Sequence, residues 1–270
     1  MRILHLSDPH VRRPGDPLAG RVETLPFFER AVAFAERLAP RPDLVLLTGD
    51  IVDGGLPEEY DLARAALARL TMPVLALPGN HDLREPFQAI LGDHLGQVLG
   101  PDCLAYADDR FPLRIIALDS VIPLRGEGRL GPAQLEWLGE TLEEAPTRPT
   151  IVALHHPPFD VGIGFMDRLG LLDRSPLLAL LDRHAQVVGV LAGHVHRTVI
   201  QRVGHAVGMI APSTAHQLPL ELMPDAPEQF IFEPPGFLLH EWDGSCLRSH
   251  HGFLGDHGPK YLFGSGEPAE

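Results

Sequence analysis

The sequence predicts an α/β protein built as a four-layer αββα sandwich, with a small lid insert and a C-terminal extension. Short apolar runs bounded by Gly, Pro and polar residues are typical of strands buried on both faces, and five such runs precede polar clusters. They alternate with segments of helical periodicity, which favours helices packed outside a sheet. A hairpin pattern around Gly204 then predicts a second, more antiparallel sheet packed on the first.

The individual elements follow from the same patterns. We expect helices at residues 26–38, 57–70, 132–144 and 175–184, where apolar residues recur at helical spacing. The acidic residues Glu58 and Glu59 lie in the first turn of the second helix, where negative charges stabilise a helix. Ser175 is predicted to cap the fourth helix. We expect strands at residues 3–6, 44–47, 74–77, 113–118, 151–154 and 187–191, and a hairpin at residues 198–203 and 205–210.

Two segments do not fit this alternation. The segment at about residues 157–175 is rich in Gly and Pro and long for a simple connection, so we predict that it forms a lid. We assign residues 1–216, with this insert, to one main domain. Residues 217–270 are Pro-rich, and we expect them to cap the site or to contact another subunit of a homo-oligomer, a dimer or larger.

The composition argues against several classes of function. The 270 residues carry a formal net charge of −14, with a single lysine against 21 arginines. An acidic surface repels the nucleic-acid backbone, so a nucleic-acid polymer is not expected as a partner. The chain lacks an apolar stretch of about 18 residues and a signal-peptide pattern, which predicts a cytoplasmic protein without a membrane span.

Polar side chains follow the predicted strands at the point where each strand ends. In an open α/β sheet, ligands gather beyond the carboxyl ends of the strands. These side chains can therefore converge on one crevice, although they span about 190 positions of the chain. The side chains that could bind a metal are Asp8, His10, Asp50, Asn80, His155, His194 and His196.

The donor types of this set indicate transition metals. Mixed imidazole and carboxylate donors suit Fe, Zn, Mn or Co better than Mg or Ca. Seven side chains are too many for one ion with an open position, whereas a carboxylate shared by two ions explains the number. Two ions roughly 3.5–4 Å apart clamp the attacking and leaving oxygens of an in-line displacement. The set therefore predicts a two-metal hydrolytic site that attracts an anionic phosphate.

The order of the clusters resembles that of the calcineurin-like metallophosphoesterases. That family carries Asp-x-His, Gly-Asp, Gly-Asn-His-Asp or Glu, His, and Gly-His-x-His. The matching blocks here are Asp8-Pro9-His10, Gly49-Asp50, Gly79-Asn80-His81-Asp82, His155 and Gly193-His194-Val195-His196. The resemblance implies the αββα fold, a catalytic main domain and two metal ions.

A closer similarity, over about residues 1–217, is to the class III cyclic-nucleotide phosphodiesterases and the bacterial glycerophosphodiesterases. It rests on residues 49–54, residues 57–60, His155-His156-Pro157-Pro158 and His216-Gln217. The resemblance implies that one ion is held by Asp8, His10, Asp50 and His196. It implies that the other is held by Asp50, Asn80, His155 and His194, so that Asp50 bridges the two.

The same resemblance implies roles beyond metal binding. His81 would contact the phosphoryl oxygens or protonate the leaving group, which a histidine can do near pH 7. His216 would be a second histidine that contacts the substrate. Asn80 and Asp50 join His81 as catalytic residues, and Asn80 also joins the substrate-binding set.

Four further residues near the clusters have open roles. His156 is free to point away from the metals if His155 is the ligand. Arg12 and Arg13 could meet a phosphate, but an interpretation as solvated loop residues is equally good. Asp82 either orients a neighbouring histidine or shapes a turn.

These observations predict a binuclear metal-dependent phosphodiesterase, a phosphoric diester hydrolase that uses in-line attack of a metal-bound hydroxide. Its substrates would be small phosphodiesters, either 3′,5′-cyclic nucleotides such as cyclic AMP or glycerophosphodiesters. A phosphomonoesterase or nucleotidase on the same core is the alternative enzyme. A non-catalytic binding scaffold is the alternative of another class, but a scaffold should lack ligands, and this chain has the full set.

Overall fold

Two β-sheets packed face to face form the centre of the structure, a computed structural model that describes residues 1–269. The strands are β1 (Arg2–Leu6), β2 (Leu44–Thr48), β3 (Val74–Leu77), β4 (Tyr106–Asp108), β5 (Arg114–Ala117), β6 (Gly128–Arg129), β7 (Thr150–Ala153), β8 (Leu171–Leu172), β9 (Val187–Ala192), β10 (Val199–Val203), β11 (Ala206–Ile210), β12 (Gly236–Trp242) and β13 (Leu247–Phe253). The helices are α1 (Thr24–Arg37), α2 (Pro57–Leu67), α3 (Arg84–Leu91), α4 (Pro132–Glu144), α5 (Gly164–Arg168) and α6 (Ser175–Arg183).

The first sheet has the strand order β13-β12-β1-β2-β3. Its strands β1, β2 and β3 are parallel, whereas β12 and β13 add antiparallel strands at one side. Ile3 of β1 lies opposite Leu44 of β2 on one side and opposite His240 of β12 on the other. Because the three parallel strands run in one direction, the polar residues that follow them emerge at the same edge.

The second sheet has the order β10-β11-β9-β7-β5-β4. The expected hairpin around Gly204 forms from β10 and β11. The expectation that this sheet is the more antiparallel one is wrong, because β5, β7, β9 and β11 are parallel neighbours. Among the described residues, antiparallel pairing in this sheet is found at its two edges, with β10 and β4. Both sheets therefore combine a parallel part with antiparallel edge strands.

The four predicted helices form, with ends shifted by no more than three residues. The predicted capping role of Ser175 is wrong, because α6 begins at Ser175 itself. Arg174 precedes it as the cap residue, without a side-chain capping hydrogen bond. Helix α3 was not predicted, and it buries only two side chains, Phe87 and Leu91, which leaves a weak periodic signal.

Three apolar layers hold the elements together and confirm the four-layer αββα sandwich. One layer packs α1, α2 and α3 on the first sheet, and another packs α4 and α6 on the second. The third lies between the sheets and contains alternate strand residues such as Leu46 and Ile151. Fully burying such a side chain is worth about 1.5–3 kcal/mol, so these layers hold the strand ends firmly in place.

The predicted insert and extension both contribute to the folded core. The insert contains α5 and β8, and it buries Phe159, Phe165 and Met166 in the outer layer of the second sheet. The extension provides β12 and β13, so the first sheet crosses the proposed boundary at residue 216. The lid movement and the division into these segments stay predictions. None of the helices within residues 1–269 combines the length and the apolar character needed to cross a membrane.

Candidate metal centre

The carboxyl ends of five strands, from both sheets, bring the predicted ligands together. Asp8, Asp50 and Asn80 follow β1, β2 and β3, whereas His155 and His194 follow β7 and β9. The crevice therefore lies where the parallel strands of the two sheets end together, rather than along one sheet. Six of the seven predicted ligands are buried, and Asn80 is half-buried.

The backbone at these strand ends is unusual. Residues other than Gly rarely have positive φ, and strained conformations concentrate at functional sites. Five of the predicted ligands adopt φ between +45° and +73°: Asp8, His10, Asp50, His194 and His196. The strand-end loops therefore hold these side chains in conformations that depend on the surrounding structure.

Two motif glycines are required by the close approach of the loops. A Cβ atom at Gly79 would lie 2.2 Å from Oδ1 of Asp50, and one at Gly49 would lie 2.5 Å from Nδ1 of His155. Gly49 also has a φ of +93°, a conformation that L side chains rarely adopt. These glycines therefore let the loops of the two sheets meet around Asp50.

The distances between the predicted ligands divide them around Asp50. Its Oδ2 atom lies 3.5 Å from Nε2 of His10 and 3.3 Å from Nε2 of His155. On the His10 side, Nε2 of His196 lies 3.0 Å from Nε2 of His10 and 3.4 Å from Oδ1 of Asp8. On the other side, Oδ1 of Asn80 lies 3.0 Å from Nε2 of His155. Asp50 thus lies between two groups of donors, as a bridging carboxylate would.

Each of the four predicted histidine ligands uses one ring nitrogen for an acceptor outside the donor group. The pairs are His10 Nδ1 with Asp53 Oδ1 at 3.0 Å, His155 Nδ1 with the Thr48 carbonyl at 2.7 Å, His194 Nε2 with the Leu169 carbonyl at 3.0 Å, and His196 Nδ1 with the His216 carbonyl at 3.0 Å. Because carbonyl oxygens only accept, three of these ring nitrogens carry the proton. The other nitrogen of each ring is left available, as in metal sites whose histidines are oriented by a second layer of acceptors.

Sequence reasoning did not find these four acceptors. Asp53 lies in the motif at residues 49–54 and could have been found there. Three of the acceptors are backbone carbonyls, which carry no side-chain signal. One of them, at Leu169, belongs to the segment predicted as a lid, so this insert contacts a predicted metal ligand directly.

The charges of the group favour ionised carboxylates and a cation. Burial alone would raise the pKa of Asp50, but His155 and His81 lower it well below its ordinary value. Burial lowers the pKa of His155, but Asp50, Asp8 and the hydrogen bond to the Thr48 carbonyl together raise it to about 9. Asp50 therefore has its positive partner in a neighbouring imidazole, and a bound metal ion could take that place. The donor set fits divalent transition metals.

His81 and His216 both lie beside His10. The ring centroid of His81 is 4.7 Å from that of His10, and the ring centroid of His216 is 5.5 Å from it. His81 binds the Asp53 carbonyl through Nδ1 at 2.9 Å, and its side chain is 40% exposed. Nδ1 of His216 is buried and has no hydrogen-bond partner within residues 1–269. The predicted substrate-contacting histidines are thus brought together at one side of the centre.

Three of the residues with open roles now have defined contacts. His156 has both ring nitrogens occupied, by Ser120 Oγ at 2.8 Å and by the Gly126 carbonyl at 3.0 Å. Arg12 binds Asp53 at 2.5 Å, so it is engaged behind His10. Arg13 lies 3.7 Å from Asp16, and its side chain is 52% exposed.

Asp82 shapes the turns that carry the predicted ligands. Its Oδ2 atom accepts hydrogen bonds from the backbone N–H groups of Gly79 at 2.8 Å and Ile51 at 3.1 Å. Its Oδ1 atom accepts one from the Tyr60 hydroxyl at 3.1 Å. Burial, followed by the nearby Asp50 carboxylate, raises the pKa of Asp82 to about 7. Of its two interpretations, the structure supports the turn role.

Proteins of similar sequence act on phosphodiesters, according to their names. A probable glycerophosphodiester phosphodiesterase GpdQ of Arcobacter nitrofigilis is 33% identical, over 97% of both chains. A probable cyclic nucleotide phosphodiesterase of Synechococcus is 36% identical, over 87% of this chain and 89% of the relative. The 3′,5′-cyclic adenosine monophosphate phosphodiesterase CpdA of Pseudomonas aeruginosa is 33% identical, over 80% of this chain and 76% of the relative.

Solved structures share the fold at lower sequence identity. A dimetal phosphatase from Danio rerio superposes with a TM-score of 0.66 at 16% identity, covering 94% of this chain and 99% of the other. A purple acid phosphatase from yellow lupin gives a TM-score of 0.67 at 16% identity, covering this whole chain and 52% of the other. The sequence model of the calcineurin-like phosphoesterases matches residues 1–198. The chain therefore belongs to the calcineurin-like phosphoesterase family.

Proposed function

We propose that this protein is a metal-dependent phosphodiesterase that hydrolyses small phosphodiesters at a binuclear centre. The observation that carries the proposal is the arrangement of four buried histidines around the carboxylates of Asp8 and Asp50. Each has one ring nitrogen tied to an outer acceptor and the other available to the donor group. This arrangement combines the requirements for two divalent ions: mixed donors, a shared carboxylate and oriented rings.

The ligand sets of the proposal follow the division around Asp50. Asp8, His10, Asp50 and His196 would hold one ion, and Asp50, Asn80, His155 and His194 would hold the other. When bound, the ions would supply Lewis-acid polarisation of phosphoryl oxygens and a water that ionises near neutral pH. Fe, Mn, Zn and Co all suit this donor set.

The residues beside the ions would handle the substrate and the proton of the leaving group. His81 donates its Nδ1 proton to the Asp53 carbonyl, which directs the ring and leaves Nε2 available. Nε2 of a protonated His81 can therefore give its proton to the departing alkoxide oxygen, a step that contributes about 10²–10⁴-fold in other enzymes. Asn80 would contact the phosphoryl group, together with His216, whose buried Nδ1 has no partner among residues 1–269.

The substrate class of the proposal is supported by the relatives. They are named for glycerophosphodiesters, for cyclic nucleotides and for cyclic AMP, and each aligns over most of this chain. We therefore expect either a glycerophosphodiester or a 3′,5′-cyclic nucleotide as the natural substrate. Hydrolysis of phosphomonoesters on the same residues is the alternative.

The test compares Mn²⁺-loaded protein on bis(p-nitrophenyl) phosphate and on p-nitrophenyl phosphate. A diester rate well above the monoester rate supports the proposal, and a strong monoester preference overturns it. Cyclic AMP, glycerophosphoethanolamine and glycerophosphocholine then identify the natural diester. If none of these substrates is cleaved by protein that contains two ions per chain, the binding-scaffold alternative is favoured instead.

We also propose a homo-oligomer, in which the extension contacts a second copy of the chain. The support is a group of exposed apolar side chains in the extension: Leu220, Leu222, Met223, Phe232 and Phe263. Where exposed apolar side chains form one contiguous patch, they mark an interaction surface. Sedimentation velocity tests the proposal, and a monomer at micromolar concentration would contradict it. The cytoplasmic location stays a prediction.

A further inference from the structure

A file of hydrogen-bonded polar side chains runs across the strands of the first sheet, on the face that packs against the second sheet. It consists of Ser249 on β13, His240 on β12, His5 on β1, Thr48 on β2 and Ser7 just beyond β1. His240 lies opposite Ile3, and His5 lies opposite Leu238; both apolar partners belong to the layer between the sheets. Directly opposite residues of two strands share a face, so both imidazoles point into that layer.

The contacts of this polar file are continuous. The distances are 2.7 Å from Ser249 Oγ to His240 Nδ1, 3.2 Å from His240 Nε2 to His5 Nδ1, 2.8 Å from His5 Nε2 to Thr48 Oγ1, 2.7 Å from Thr48 Oγ1 to Ser7 Oγ, and 3.3 Å from Ser7 Oγ to the Thr48 carbonyl. The same carbonyl accepts the proton of His155 Nδ1 at 2.7 Å. The polar file therefore ends at a proposed metal ligand.

Counting protons fixes the direction of every hydrogen bond in the polar file. A carbonyl only accepts, so the Ser7 hydroxyl donates its proton to the Thr48 carbonyl. The hydrogen bond between the two hydroxyls must then be donated by Thr48 Oγ1 to Ser7 Oγ. Because the Thr48 proton is used, His5 donates to it from Nε2. A neutral imidazole has one donor and one acceptor, so His5 accepts from His240 at Nδ1. By the same step, His240 accepts from Ser249, and both histidines are Nε2–H tautomers.

The polar file is not needed to fill the core. His5 and His240 are fully buried, and buried polar groups cost free energy that only their hydrogen bonds offset. Apolar side chains of similar volume would pack this layer without that requirement. What the polar file provides is a fixed position for Thr48, which directly precedes Gly49 and Asp50.

We infer that His5 and His240 are positioning residues of the metal centre, acting through Thr48. The polar file anchors the Thr48 carbonyl, which orients the ring of His155, and it anchors the turn that carries Asp50. The C-terminal strands thereby support the centre from across the sheet. The inference rests on the proposed function, because His155 and Asp50 are ligands only if metals bind there.

Metal affinity tests this role, measured by calorimetric titration of metal-free protein with Mn²⁺. His240→Leu removes the donor to His5, and we expect about 10-fold weaker binding, at the lower end of effects seen for outer-layer partners. His240→Gln keeps a donor at the Nε2 position and should bind within about 3-fold of the natural protein. If His240 only filled space, the His240→Leu variant should bind Mn²⁺ at least as well as the His240→Gln variant, since Leu suits an apolar layer better. Weaker binding by His240→Leu than by His240→Gln therefore indicates the hydrogen bond.

A matched pair of threonine substitutions covers the case in which His240→Leu does not fold. Thr48→Val removes the hydroxyl within the polar file, whereas Thr150→Val removes a buried hydroxyl that donates to Arg148 at the far end of β7. We expect weaker Mn²⁺ binding by Thr48→Val alone. Equal binding by both variants, or equal loss in both, overturns the inference. If the natural protein binds no Mn²⁺, the proposed function fails instead.

The tautomers provide a test that needs no metal. In ¹⁵N-resolved NMR spectra of the metal-free protein, the ring nitrogens of His5 and His240 should both show the Nε2–H form. The Nδ1–H form in either residue would contradict the derived order of donors and acceptors. It would overturn the proposed connection from His240 to Thr48.

Discussion

Two regions of this protein contain buried histidines that are used differently. At the proposed metal centre, His10, His155, His194 and His196 each leave one ring nitrogen facing other donors. Between the sheets, His5 and His240 have both nitrogens paired. All six side chains are buried. Burial therefore does not distinguish a proposed ligand from a proposed supporting histidine, whereas the pairing of the second ring nitrogen does.

The charges near the two regions differ in the same sense. Carboxylates lie within 3.5 Å of imidazole nitrogens at the centre, as between Asp50 and His155. In the polar file between the sheets, the partners of the two imidazoles are hydroxyls and each other. The carboxylates of the first region can thus stabilise a cation, whereas burial in the second region favours the neutral forms of His5 and His240.

The largest effect should come from removing the shared charge at the centre. Asp50→Asn keeps the size of the side chain but removes a carboxylate charge between the two donor groups. We expect kcat/KM for bis(p-nitrophenyl) phosphate to fall on the order of 10³-fold, because the metal clamp on the reacting oxygens is lost. Metal content should fall as well. The matched control is Asp61→Asn, which removes an exposed carboxylate of α2 and should leave both quantities unchanged.

The Asp50 prediction has a clear contrary result. An Asp50→Asn protein that kept two ions and the natural rate would show that the two donor groups do not depend on a shared carboxylate. The distinction between the two histidine regions would then rest on hydrogen bonding alone.

The next effect concerns His81, which is neither in the donor group nor in the polar file. His81→Asn should lower kcat for an alkyl phosphodiester about 10²-fold, because the leaving alkoxide then departs without a proton. For bis(p-nitrophenyl) phosphate the loss should be much smaller, since p-nitrophenolate leaves without one. The measurement is the ratio of the two losses. Equal losses on both substrates would assign His81 to phosphoryl contact rather than to proton transfer.

Much of the proposed centre could be predicted from the sequence, because its candidate ligands are side chains at fixed strand ends. Asp8, Asp50 and His155 each follow a short apolar run, and the chain order of such blocks is informative. The supporting atoms were not predictable, because the carbonyls of Thr48, Leu169 and His216 have no sequence signal. His5 and His240 lie 235 positions apart, and only the pairing of β1 with β12 brings them together.

The fold shows the same limit. Hydrophobic periodicity predicted the long helices and the buried strands, since each buries a continuous face. It could not assign strands to sheets, because a buried parallel strand looks alike in either one. The parallel alignment of β11 with β9, which corrected the expected second sheet, depends on where the chain returns after the hairpin at Gly204.

The pH dependence of the unfolding free energy should test whether the histidines of the polar file are neutral in the folded protein. Burial lowers the pKa of His240 to about 3, and burial with His240 lowers that of His5. The pKa of a histidine in the unfolded chain is about 6.5. Below that pH the unfolded chain therefore binds protons that the folded chain does not, and stability decreases as the pH decreases. His240→Gln removes one such group. Between about pH 6 and 4, its unfolding free energy should fall about 1.4 kcal/mol less per pH unit.

Chemical denaturation across this pH range provides the measurement. Depressed carboxylate pKa values make stability fall in the same direction, but they are common to both proteins and cancel in the difference. Parallel curves for His240→Gln and the natural protein would mean that His240 is protonated in the folded state, contrary to its place in the polar file.

The smallest effect should separate two neighbouring arginines at the centre. Arg12 binds Asp53, which in turn holds Nδ1 of His10, whereas Arg13 is half-exposed and lies 3.7 Å from Asp16. Arg12→Ala should therefore lower kcat/KM by no more than about 10-fold, because it acts on a ligand through one intermediate residue. Arg13→Ala should change it less than about 2-fold. If Arg13→Ala instead raised KM more than Arg12→Ala did, Arg13 would be the arginine that meets the phosphate, and the interpretation of both side chains would be reversed.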